Sequence, residues 1–418
     1  MQSILLNAPP QGEITGEQIT ESLERMIGGR ALKKVLLLPP DLTRYHSRGG
    51  EITNRLYHRL KGECRVDIIP ALGSHCAMPA DELRMMFGDV PEDAFLVHDW
   101  RNDVCTVGRV PGSFIREISG GRLDYDIDVQ LNRRLVEGGY DLIVSIGQVV
   151  PHEVAGMANH AKNIFVGVGG IEMIHRTHFL GAVCGMEQAL GRDHAPVRQV
   201  FDYAAEHFLN GLPIVYAMTV IQARGGRDCI TGLYIGDQRD AFEAAVERSR
   251  QDNVNWLDKP LKKCVCFMEP EEFKSFWLSN KSVYRTRMAM ADGGDLIVLA
   301  PAVDKFGEDP GMDRLLRRFG YKGTDYVLKA AKEDPELSVN LSAAAHLIHG
   351  SSEGRFRVHY ATPRLDPATV EAAGFEYMDY EAASKRYAGL KDGWNTVDGE
   401  EVYYISNPAL GLWAVKQP

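Results

Sequence analysis

Residues 141–156 read DLIVSIGQVVPHEVAG, an apolar run followed by a loop that contains a proline and His152. A continuous apolar run bounded by Gly and Pro is typical of a strand buried within a sheet. Side chains just beyond the carboxyl end of such a strand lie where open α/β sheets bind their ligands. The stretch therefore predicts a buried strand over Leu142–Ile146 and a functional site at its carboxyl end.

Apolar runs of the same kind recur in the first part of the chain and alternate with amphipathic stretches. The predicted strands are Val35–Leu38, Val66–Ile69, Leu142–Ile146 and Pro213–Met218. The predicted helices are Asn54–Lys61, Leu131–Glu137, Val197–Leu209 and Asp240–Arg250. Strands that alternate with helices indicate an α/β fold with a mainly parallel sheet and helices on its faces.

The chain has 418 residues, more than one hydrophobic core usually organises, so we expect two domains. The polar stretch Gln251–Asn255 is a candidate linker. Beyond it we predict strands over Cys264–Phe267 and Leu296–Leu299, and helices over Glu271–Leu278 and Ser282–Ala291. The predicted domains are residues 1–258 and 259–399, both α/β with mainly parallel sheets, and we expect the active site in a cleft between them.

The C-terminal tail, residues 400–418, contains a further strand pattern over Val402–Ile405. A strand here is able to return to the sheet of either domain. We predict it as a candidate to complete the first domain.

The composition is that of an ordinary globular protein, with 44% hydrophobic and 25% charged residues. A net charge of −10 argues against nucleic acid as a partner, because phosphate binding requires a basic face. The N-terminus lacks the basic and long apolar segments of a signal peptide, and no apolar stretch is long enough to span a bilayer. We therefore expect a soluble, cytoplasmic protein without a membrane partner.

Polar side chains suited to chemistry occur just after predicted elements in four places. These are Asp41-Leu42-Thr43-Arg44, Leu72-Gly73-Ser74-His75, the stretch from His152 to His178, and Ser279-Asn280-Lys281. Histidine titrates near neutral pH, so His75 and His152 are candidate acid or base groups. Plainer interpretations remain open for each patch: Asp41 as a helix cap, His75 as a loop residue and Lys281 as a solvated lysine.

Together these patches contain the parts of an active site. Arg44 and Lys281 are a candidate clamp for an anion, Lys162 is a candidate nucleophile and His178 is a candidate metal ligand. No carboxylate or thiol set accompanies His178, so a metal bound there has to take its remaining donors from a cofactor.

Three motifs carry a resemblance to a known family. They are Asp-x-Thr-Arg at Asp41, Leu-Gly-Ser-His ending at His75, and Pro-His-x-x-Ala-Gly at His152. The last is followed by Lys162 ten residues after its histidine and by His178 sixteen residues further on. This pattern resembles the lactate racemases, enzymes that use a nickel-pincer nucleotide.

The resemblance implies a role for each residue. The cofactor of the family is a pyridinium-3-thioamide-5-thiocarboxylic acid mononucleotide that carries nickel, and it is made by dedicated cofactor-biosynthesis enzymes. By motif, His178 is the expected nickel ligand, Lys162 the residue joined to the cofactor, and Asp41 and Thr43 part of the cofactor pocket. His75 and His152 are the expected pair of acid/base groups, and Arg44 and Lys281 the expected ligands of the substrate carboxylate. The first domain is then the cofactor-binding domain, and the second closes over the substrate.

The chain departs from the lactate racemase pattern near the substrate. Met157–Ala161 replaces a stretch rich in serine and glycine, and Leu278 stands where a glutamine is expected. Asn159, His160, His175 and Asn280 are polar candidates for extra contacts to a longer substrate. The resemblance therefore favours C2 epimerisation of an aldonic sugar acid of the D-gluconate/D-mannonate type, with lactate or another short 2-hydroxy acid as the alternative.

Other classes of function compete with this interpretation. The glycine-rich stretch Val166–Gly170 matches neither the dinucleotide fingerprint nor a P-loop, which argues against an NAD-dependent dehydrogenase. The seven cysteines form no CxxC pair, and no His-x-x-x-His set is present, which argues against a zinc hydrolase. A non-catalytic protein that only binds the nickel cofactor needs Lys162 and His178 but has no use for two further histidines and Arg44.

Overall fold

The computed structural model describes residues 1–73 and 75–416, so Ser74 of the His75 motif and the last two residues of the tail lie outside the described chain. Contacts divide the chain into two compact units. The first consists of Met1–Leu180 and Gln188–Asn253, and the second of Gly181–Glu187 and the chain from Val254 onward. The division thus falls after Asn253, whereas the sequence places it after residue 258.

The first unit is built on a six-stranded sheet. The strands of this sheet are β1 (Ile4–Asn7), β2 (Lys34–Leu38), β3 (Arg65–Ile68), β6 (Leu142–Gln148), β9 (Ile214–Arg224) and β10 (Arg227–Gly236). Two separate pairs are β4 (Val104–Val110) with β5 (Ile127–Asn132), and β7 (Pro151–His152) with β8 (Gly156–Met157). The sheet order is β1-β10-β9-β6-β2-β3. Pairing is parallel from β3 through β2 and β6 to β9, and antiparallel at β10 and β1.

Helices of the first unit occur between and after these strands along the chain. They are α1 (Gly16–Ile27), α2 (Gly49–Leu60), α3 (Ala80–Phe87), α4 (Gly112–Ile118), α5 (Arg133–Glu137), α6 (Ile171–Cys184, whose last four residues group with the second unit), α7 (Pro196–Phe208) and α8 (Arg239–Asn253). Local signals set their starts: Thr15 and Gln18 form a capping box at α1, and Pro196 occupies the first turn of α7. Apolar residues of α1, α2 and α3 join those of the strands in one core.

The structure confirms the predicted central strands and most helices of this unit. Every residue of β6 is buried, as the unbroken apolar run predicts. The predicted helix Leu131–Glu137 is wrong in its first part, because Leu131 and Asn132 pair with β4 and helix α5 begins only at Arg133. The predicted linker is also wrong, because α8 continues to Asn253 and the next strand begins at Asn255.

The second unit contains a second six-stranded sheet. The strands of this sheet are β12 (Leu261–Phe267), β13 (Met290–Leu299), β14 (Arg357–Ala361), β15 (Glu376–Met378), β16 (Gly393–Val397) and β17 (Glu400–Ile405). A separate parallel pair consists of β11 (Asn255–Leu257) and β18 (Trp413–Val415). The sheet order is β15-β14-β13-β12-β17-β16, and only the β16–β17 pair is antiparallel. Both units are therefore α/β with mainly parallel sheets, which confirms the predicted fold class.

Short helices connect these strands. They are α9 (Phe276–Ser279), α10 (Lys281–Thr286), α11 (Pro310–Phe319), α12 (Thr324–Glu333), α13 (Pro335–Val339), α14 (Leu341–His349), α15 (Pro367–Ala372) and α16 (Tyr380–Arg386). The predicted helix Glu271–Leu278 is wrong except at its end, where Ser275 caps α9. Helix α10 stops at Thr286 rather than Ala291, because Met290 already pairs with Leu261. Across the described chain, no helix combines the length and apolarity needed to cross a membrane.

The C-terminal tail joins the second unit and not the first. Strand β17 pairs in parallel with β12, with Cys264 opposite Tyr403 and Cys266 opposite Ile405. The predicted strand over Val402–Ile405 is therefore correct. Its expected place in the first domain is wrong, because it pairs within the sheet of the second unit. The reason is that a strand pattern specifies a pairing surface but does not specify the sheet that supplies the partner.

Gly50 offers a test of the packing between α2 and α3. A Cβ atom at Gly50 would lie 1.9 Å from the carbonyl oxygen of Met86, whereas one at Gly62 would meet nothing within 4 Å. Alanine is otherwise favoured over glycine in a helix by about 1 kcal/mol, so only the clash makes Gly50→Ala unfavourable. We expect Gly50→Ala to lower the free energy of unfolding by about 1–3 kcal/mol in a urea titration, and Gly62→Ala to leave it nearly unchanged. Equal stability of Gly50→Ala and the wild type would contradict this packing.

Candidate active site

A cavity of about 240 Å³ lies in the first unit, where β2, β3 and β6 end. Every residue predicted for the site, except Lys281, lines it: Asp41, Thr43, Arg44, His75, His152, Lys162 and His178. Parallel pairing of β2 with both β3 and β6 brings three carboxyl ends to one edge of the sheet. The segments that leave these strands therefore converge, as open α/β sheets require of a ligand site.

Asp41 and His75 form a hydrogen-bonded pair although they are far apart in sequence. Nδ1 of His75 lies 2.6 Å from Oδ2 of Asp41, and the hydroxyl of Thr43 donates to Oδ1 of Asp41 over 2.5 Å. Burial acts to raise the pKa of Asp41, but the hydrogen bonds from His75 and Thr43 outweigh it and lower that pKa. The same hydrogen bond raises the pKa of His75. Asp41 is therefore an ionised, buried carboxylate that orients an exposed imidazole.

His152 is held in a different way. It is buried at the end of the β7–β8 hairpin, and its Nδ1 accepts hydrogen bonds from the backbone amides of Val154 (3.1 Å) and Ala155 (3.3 Å). Burial first, with Lys162 and Arg44 adding positive charge nearby, lowers the pKa of His152 well below its usual value. His152 is thus a neutral imidazole at physiological pH.

Lys162 stands immediately before a single turn of π-helix, Asn163–Gly167. Burial lowers the pKa of its ammonium group to about 8, with the positive charge of Arg44 contributing in the same direction. The free amine, which is the form that acts as a nucleophile, is therefore more populated near neutral pH than in an ordinary lysine. Turns of π-helix inside proteins occur often at functional sites.

The glycines of the stretch Val166–Gly170 serve close packing. A Cβ atom at Gly167 would lie 2.7 Å from Cβ of Ala71, and one at Gly169 would lie 1.9 Å from the carbonyl oxygen of Phe165. The amide of Gly73 donates to the carbonyl of Gly167 over 2.8 Å. These contacts hold the π-helical turn against the loop that carries His75.

His178 lies on α6 with one ring nitrogen already engaged. Its Nδ1 is 2.5 Å from the carbonyl oxygen of Ile174, which can only accept, so Nδ1 carries the hydrogen and Nε2 keeps a lone pair. Burial lowers the pKa of His178 to about 4, so the ring is neutral. A histidine whose second nitrogen donates to a backbone carbonyl is the usual form of a metal ligand.

A metal at His178 would need other donors. Among residues 1–73 and 75–416, no group of three or more His, Cys, Asp or Glu side chains is placed to hold a metal ion. A single imidazole with a free lone pair fits a metal that arrives already bound to a cofactor. The residues of the cavity therefore fit a metal-bearing cofactor better than a free ion.

Two side chains in the cavity have polar atoms with no partner. Oε1 of Gln148 and Nδ2 of Asn159 are buried and make no hydrogen bond. Buried polar groups are rarely left unsatisfied, so both atoms point to a polar ligand. Gln148 is a residue that the sequence analysis missed, and the only signal was a polar side chain at the end of an apolar strand.

The loop before Lys162 has an unusual backbone. Asn159 and His160 both adopt positive φ, 69° and 55°, which non-glycine residues rarely do. The fully buried Arg198, another residue missed from the sequence, donates to the carbonyl oxygens of Met157 (2.6 Å) and Asn159 (3.4 Å). Strain of this kind persists where the surrounding structure supports it, and it concentrates at functional sites.

Lys281 is the predicted site residue that does not line this cavity. It begins α10 in the second unit, 3.5 Å from a carboxylate oxygen of Glu272 and over the ring of Phe273. Its predicted role in binding the substrate carboxylate stays a prediction. Of the extra polar candidates, Asn159 lines the cavity, whereas Oδ1 of Asn280 accepts a hydrogen bond from Tyr360 inside the second unit.

Sequence comparisons point to one family. Residues 1–191 match the family described as the lactate racemase N-terminal domain. The chain is also 32% identical over 117 residues to a lactate racemase from Thermoanaerobacterium thermosaccharolyticum, an alignment that covers 27% of this chain and 24% of that protein. The chain thus matches about a quarter of the length of this curated relative. These matches support the lactate racemase family for this chain.

Solved structures extend the likeness along the whole chain. A crystal structure of a Thermotoga maritima protein is 26% identical, with a TM-score of 0.78, and the match covers 98% of this chain and all of that one. The lactate racemase apoprotein from T. thermosaccharolyticum is 18% identical, with a TM-score of 0.71, over 100% of this chain and 95% of that one. This chain therefore has the fold of the lactate racemase apoprotein.

The Asp41–His75 pair predicts a pH-dependent stability. The pKa of His75 is raised above 6.5, so its contribution is complete below 6.5 and is lost as pH rises through the raised value. The pKa of Asp41 is lowered below 3.8, so its contribution is complete above 3.8 and is lost as pH falls through the lower value. We expect His75→Gln to lower the melting temperature more at about pH 5.5 than at about pH 8.5.

The matched control is His194→Gln, at an exposed histidine outside the cavity. Its effect on the melting temperature should be small and should not vary in this way with pH. If His75→Gln lowers stability equally at both pH values, the two side chains are not an ion pair in solution.

Proposed function

We propose that the protein is an isomerase that inverts C2 of a 2-hydroxy acid with the help of a nickel-pincer nucleotide. One observation carries the proposal: a single cavity of the first unit contains both an Asp-oriented histidine base and a neutral histidine with a free lone pair for a metal. The match of residues 1–191 to the lactate racemase N-terminal domain supports the same activity.

The residues of the cavity fit the proposed cofactor. His178 would hold the nickel through Nε2, and the amine of Lys162 would join the cofactor through a thioamide. Asn159 and Gln148 would supply a hydrogen-bond donor and acceptor to the polar parts of the bound molecules. When bound, the cofactor supplies a reversible acceptor for the hydride of C2, which avoids direct removal of a very weakly acidic C–H proton.

The remaining side chains act on the substrate. The guanidinium of Arg44 has the fork geometry that recognises a carboxylate, and it lines the cavity beside Lys162. His75 and His152 would contact the C2 hydroxyl, whose proton has to leave as C2 is oxidised and has to return afterwards. Lys281 keeps its proposed role as a further ligand of the substrate carboxylate.

A protein that only carries the nickel cofactor is the competing proposal from another class. Such a carrier needs His178 and Lys162, but it gains nothing from an ionised, buried Asp41 that raises the pKa of an exposed histidine. Perturbed titratable groups gathered in a cleft are typical of catalysis. The enzymes that build the cofactor are the protein partners that we propose for this function.

For the substrate we propose a polyhydroxylated acid, an aldonate of the gluconate/mannonate type, in preference to lactate. Two observations support this substrate. The donor Nδ2 of Asn159 and the acceptor Oε1 of Gln148 are buried without a hydrogen-bond partner. In addition, Leu278 stands where the lactate racemase pattern has a glutamine. A substrate with several hydroxyl groups satisfies such atoms, whereas the methyl group of lactate does not.

The first test concerns nickel. Protein co-produced with the cofactor-building enzymes should contain about one nickel per chain, measured by inductively coupled plasma mass spectrometry, because His178 has a single free lone pair. His178→Ala should lose the nickel, whereas His175→Ala, on the same helix but outside the cavity, should keep it. Stoichiometric nickel in His178→Ala would exclude His178 as the ligand.

The second test concerns the reaction and its substrate. Cofactor-loaded protein should be incubated in D₂O with a panel of 2-hydroxy acids that includes lactate, gluconate and mannonate, and C2 followed by NMR. We expect inversion of an aldonate with little deuterium at C2, because a hydride that is removed and returned does not exchange with solvent. Heavy deuteration would favour proton abstraction instead. Inversion of lactate and of no aldonate would refute the sugar-acid assignment alone.

A further inference from the structure

A second cavity of the first unit lies at the opposite edge of its sheet. It has a volume of about 530 Å³ and forms where β9 begins, beside α7 and the start of α8. Because β6 and β9 run in parallel, β6 also begins at this edge, whereas the candidate active site lies where β6 ends. A volume in this range is typical of small-molecule sites. The lining of the second cavity includes His160, Asp202, Ala205, Tyr216, Asp237 and Arg239, and the described residues that line one cavity do not line the other.

His160 is a buried side chain of this second cavity without a hydrogen-bond partner. It is 5% exposed, and among the described residues neither Nδ1 nor Nε2 finds a partner. Burial lowers the pKa of His160 well below its usual value, and the positive charges of Arg198 and Arg239 act in the same direction, so the ring is neutral. A neutral imidazole has one donor and one acceptor. Buried polar groups are rarely left unsatisfied, so both atoms indicate a polar partner.

His160 also adopts an unfavourable backbone conformation. Its φ of 55° lies in the left-handed region, which glycine adopts freely and residues with side chains rarely do. The imidazole packs against the rings of Tyr216 and Phe242, whose centroids are 4.0 Å and 4.8 Å away. An apolar ring would make the same contacts without leaving two polar atoms unsatisfied. Packing alone therefore does not account for a histidine here.

The charged side chains around the second cavity largely compensate one another. Arg239 donates to Asp202 over 2.5 Å, and Asp237 accepts a hydrogen bond from the N-terminal ammonium group over 2.6 Å. Glu206 and Arg30, which have opposite charges, are exposed members of the lining. A charged ligand would lose its hydration here without gaining an unpaired buried charge as its partner. The lining therefore favours an uncharged ligand.

The polar groups of the lining suit hydroxyl groups in particular. Asn210 and Gln238 carry amides, which both donate and accept, and the carboxylates of the lining accept from O–H donors. A hydroxyl group also donates and accepts, so it satisfies His160 in either neutral tautomer.

We propose that the second cavity binds a small uncharged molecule with several hydroxyl groups, such as a monosaccharide or a sugar alcohol, that hydrogen-bonds to His160. The site is separate from the proposed function, because it needs neither the nickel cofactor nor the residues of the candidate active site.

Binding is measurable on the full-length protein made without the cofactor-building enzymes. D-glucose and D-sorbitol are the uncharged probes, and D-glucosamine is the cationic match of D-glucose. Long-range ¹H–¹⁵N NMR of ¹⁵N-histidine-labelled protein reports on each ring, and the signals of His160 are those lost in His160→Phe. We expect an uncharged probe to shift the ring nitrogens of His160 saturably in the millimolar range, and glucosamine to shift them less.

Three outcomes of this titration would contradict the proposal. If neither uncharged probe shifts the signals of His160, the second cavity holds only water. A shift confined to His75 and His152 would place the probe in the candidate active site instead. Tighter binding of glucosamine than of glucose would overturn the assignment to an uncharged ligand.

Two variants test the cavity itself, with the probe followed by saturation-transfer difference NMR. His160→Phe keeps an aromatic ring but has no polar side-chain atom, so it should weaken binding at least about tenfold. Ala205→Phe, on α7, should abolish binding because its ring fills the cavity, and it keeps the test decisive if His160→Phe does not fold. His207→Phe, at an exposed histidine of α7 outside the lining, is the matched control and should bind like wild type. Unchanged affinity in folded Ala205→Phe would exclude this cavity.

The second site and the proposed function fail in different ways. If the cofactor-loaded protein inverts no 2-hydroxy acid, the proposed function is wrong, and the titration still tests the second site. If the protein is an active isomerase and no probe shifts the signals of His160, the function stands and the second site is wrong.

Discussion

Parallel pairing of β3, β2, β6 and β9 is the constraint on which the site depends. Parallel strands end at the same edge, so the segments that follow β2, β3 and β6 are forced into contact there. Strand β6 is buried along its whole length, which fixes its register, since a slip would misplace every side chain. The positions of Asp41, His75 and His152 follow from where these strands stop.

The second determinant is the distribution of charge in the cavity. Arg44 and Lys162 bring positive charge into a region of low dielectric, and burial itself opposes further ionisation. Lys162 therefore loses its proton more easily than usual, and His178 stays neutral. Asp41 is the carboxylate among the described lining residues, and its hydrogen bonds keep it ionised. The cavity thus presents a neutral imidazole lone pair at His178, which suits a metal ligand, and an amine at Lys162 that loses its proton more readily than usual.

The loop before Lys162 shows how the surrounding structure supports an unfavourable backbone. Asn159 and His160 pay a conformational cost at positive φ, and the buried Arg198 compensates by donating to two carbonyl oxygens of the loop. Its guanidinium also lies over the ring of Phe242, 4.6 Å from the centroid. This arrangement directs the amide of Asn159 into the cavity, beside the lysine that is proposed to hold the cofactor.

The amino-acid sequence by itself determined the α/β class, the central strands, and the charged and histidine side chains that line the cavity. These depend on local apolar runs and on motif spacing, which are visible in one dimension. Tertiary structure alone decided which partners these residues have. Asp41 and His75 are 34 positions apart, and only the pairing of β2 with β3 joins them. The same reason explains two errors of the sequence predictions. Strand β17 pairs with β12, and Leu131 and Asn132 pair with β4 instead of starting a helix. In both places the hydrogen-bond partners come from distant segments, which a local sequence pattern does not specify.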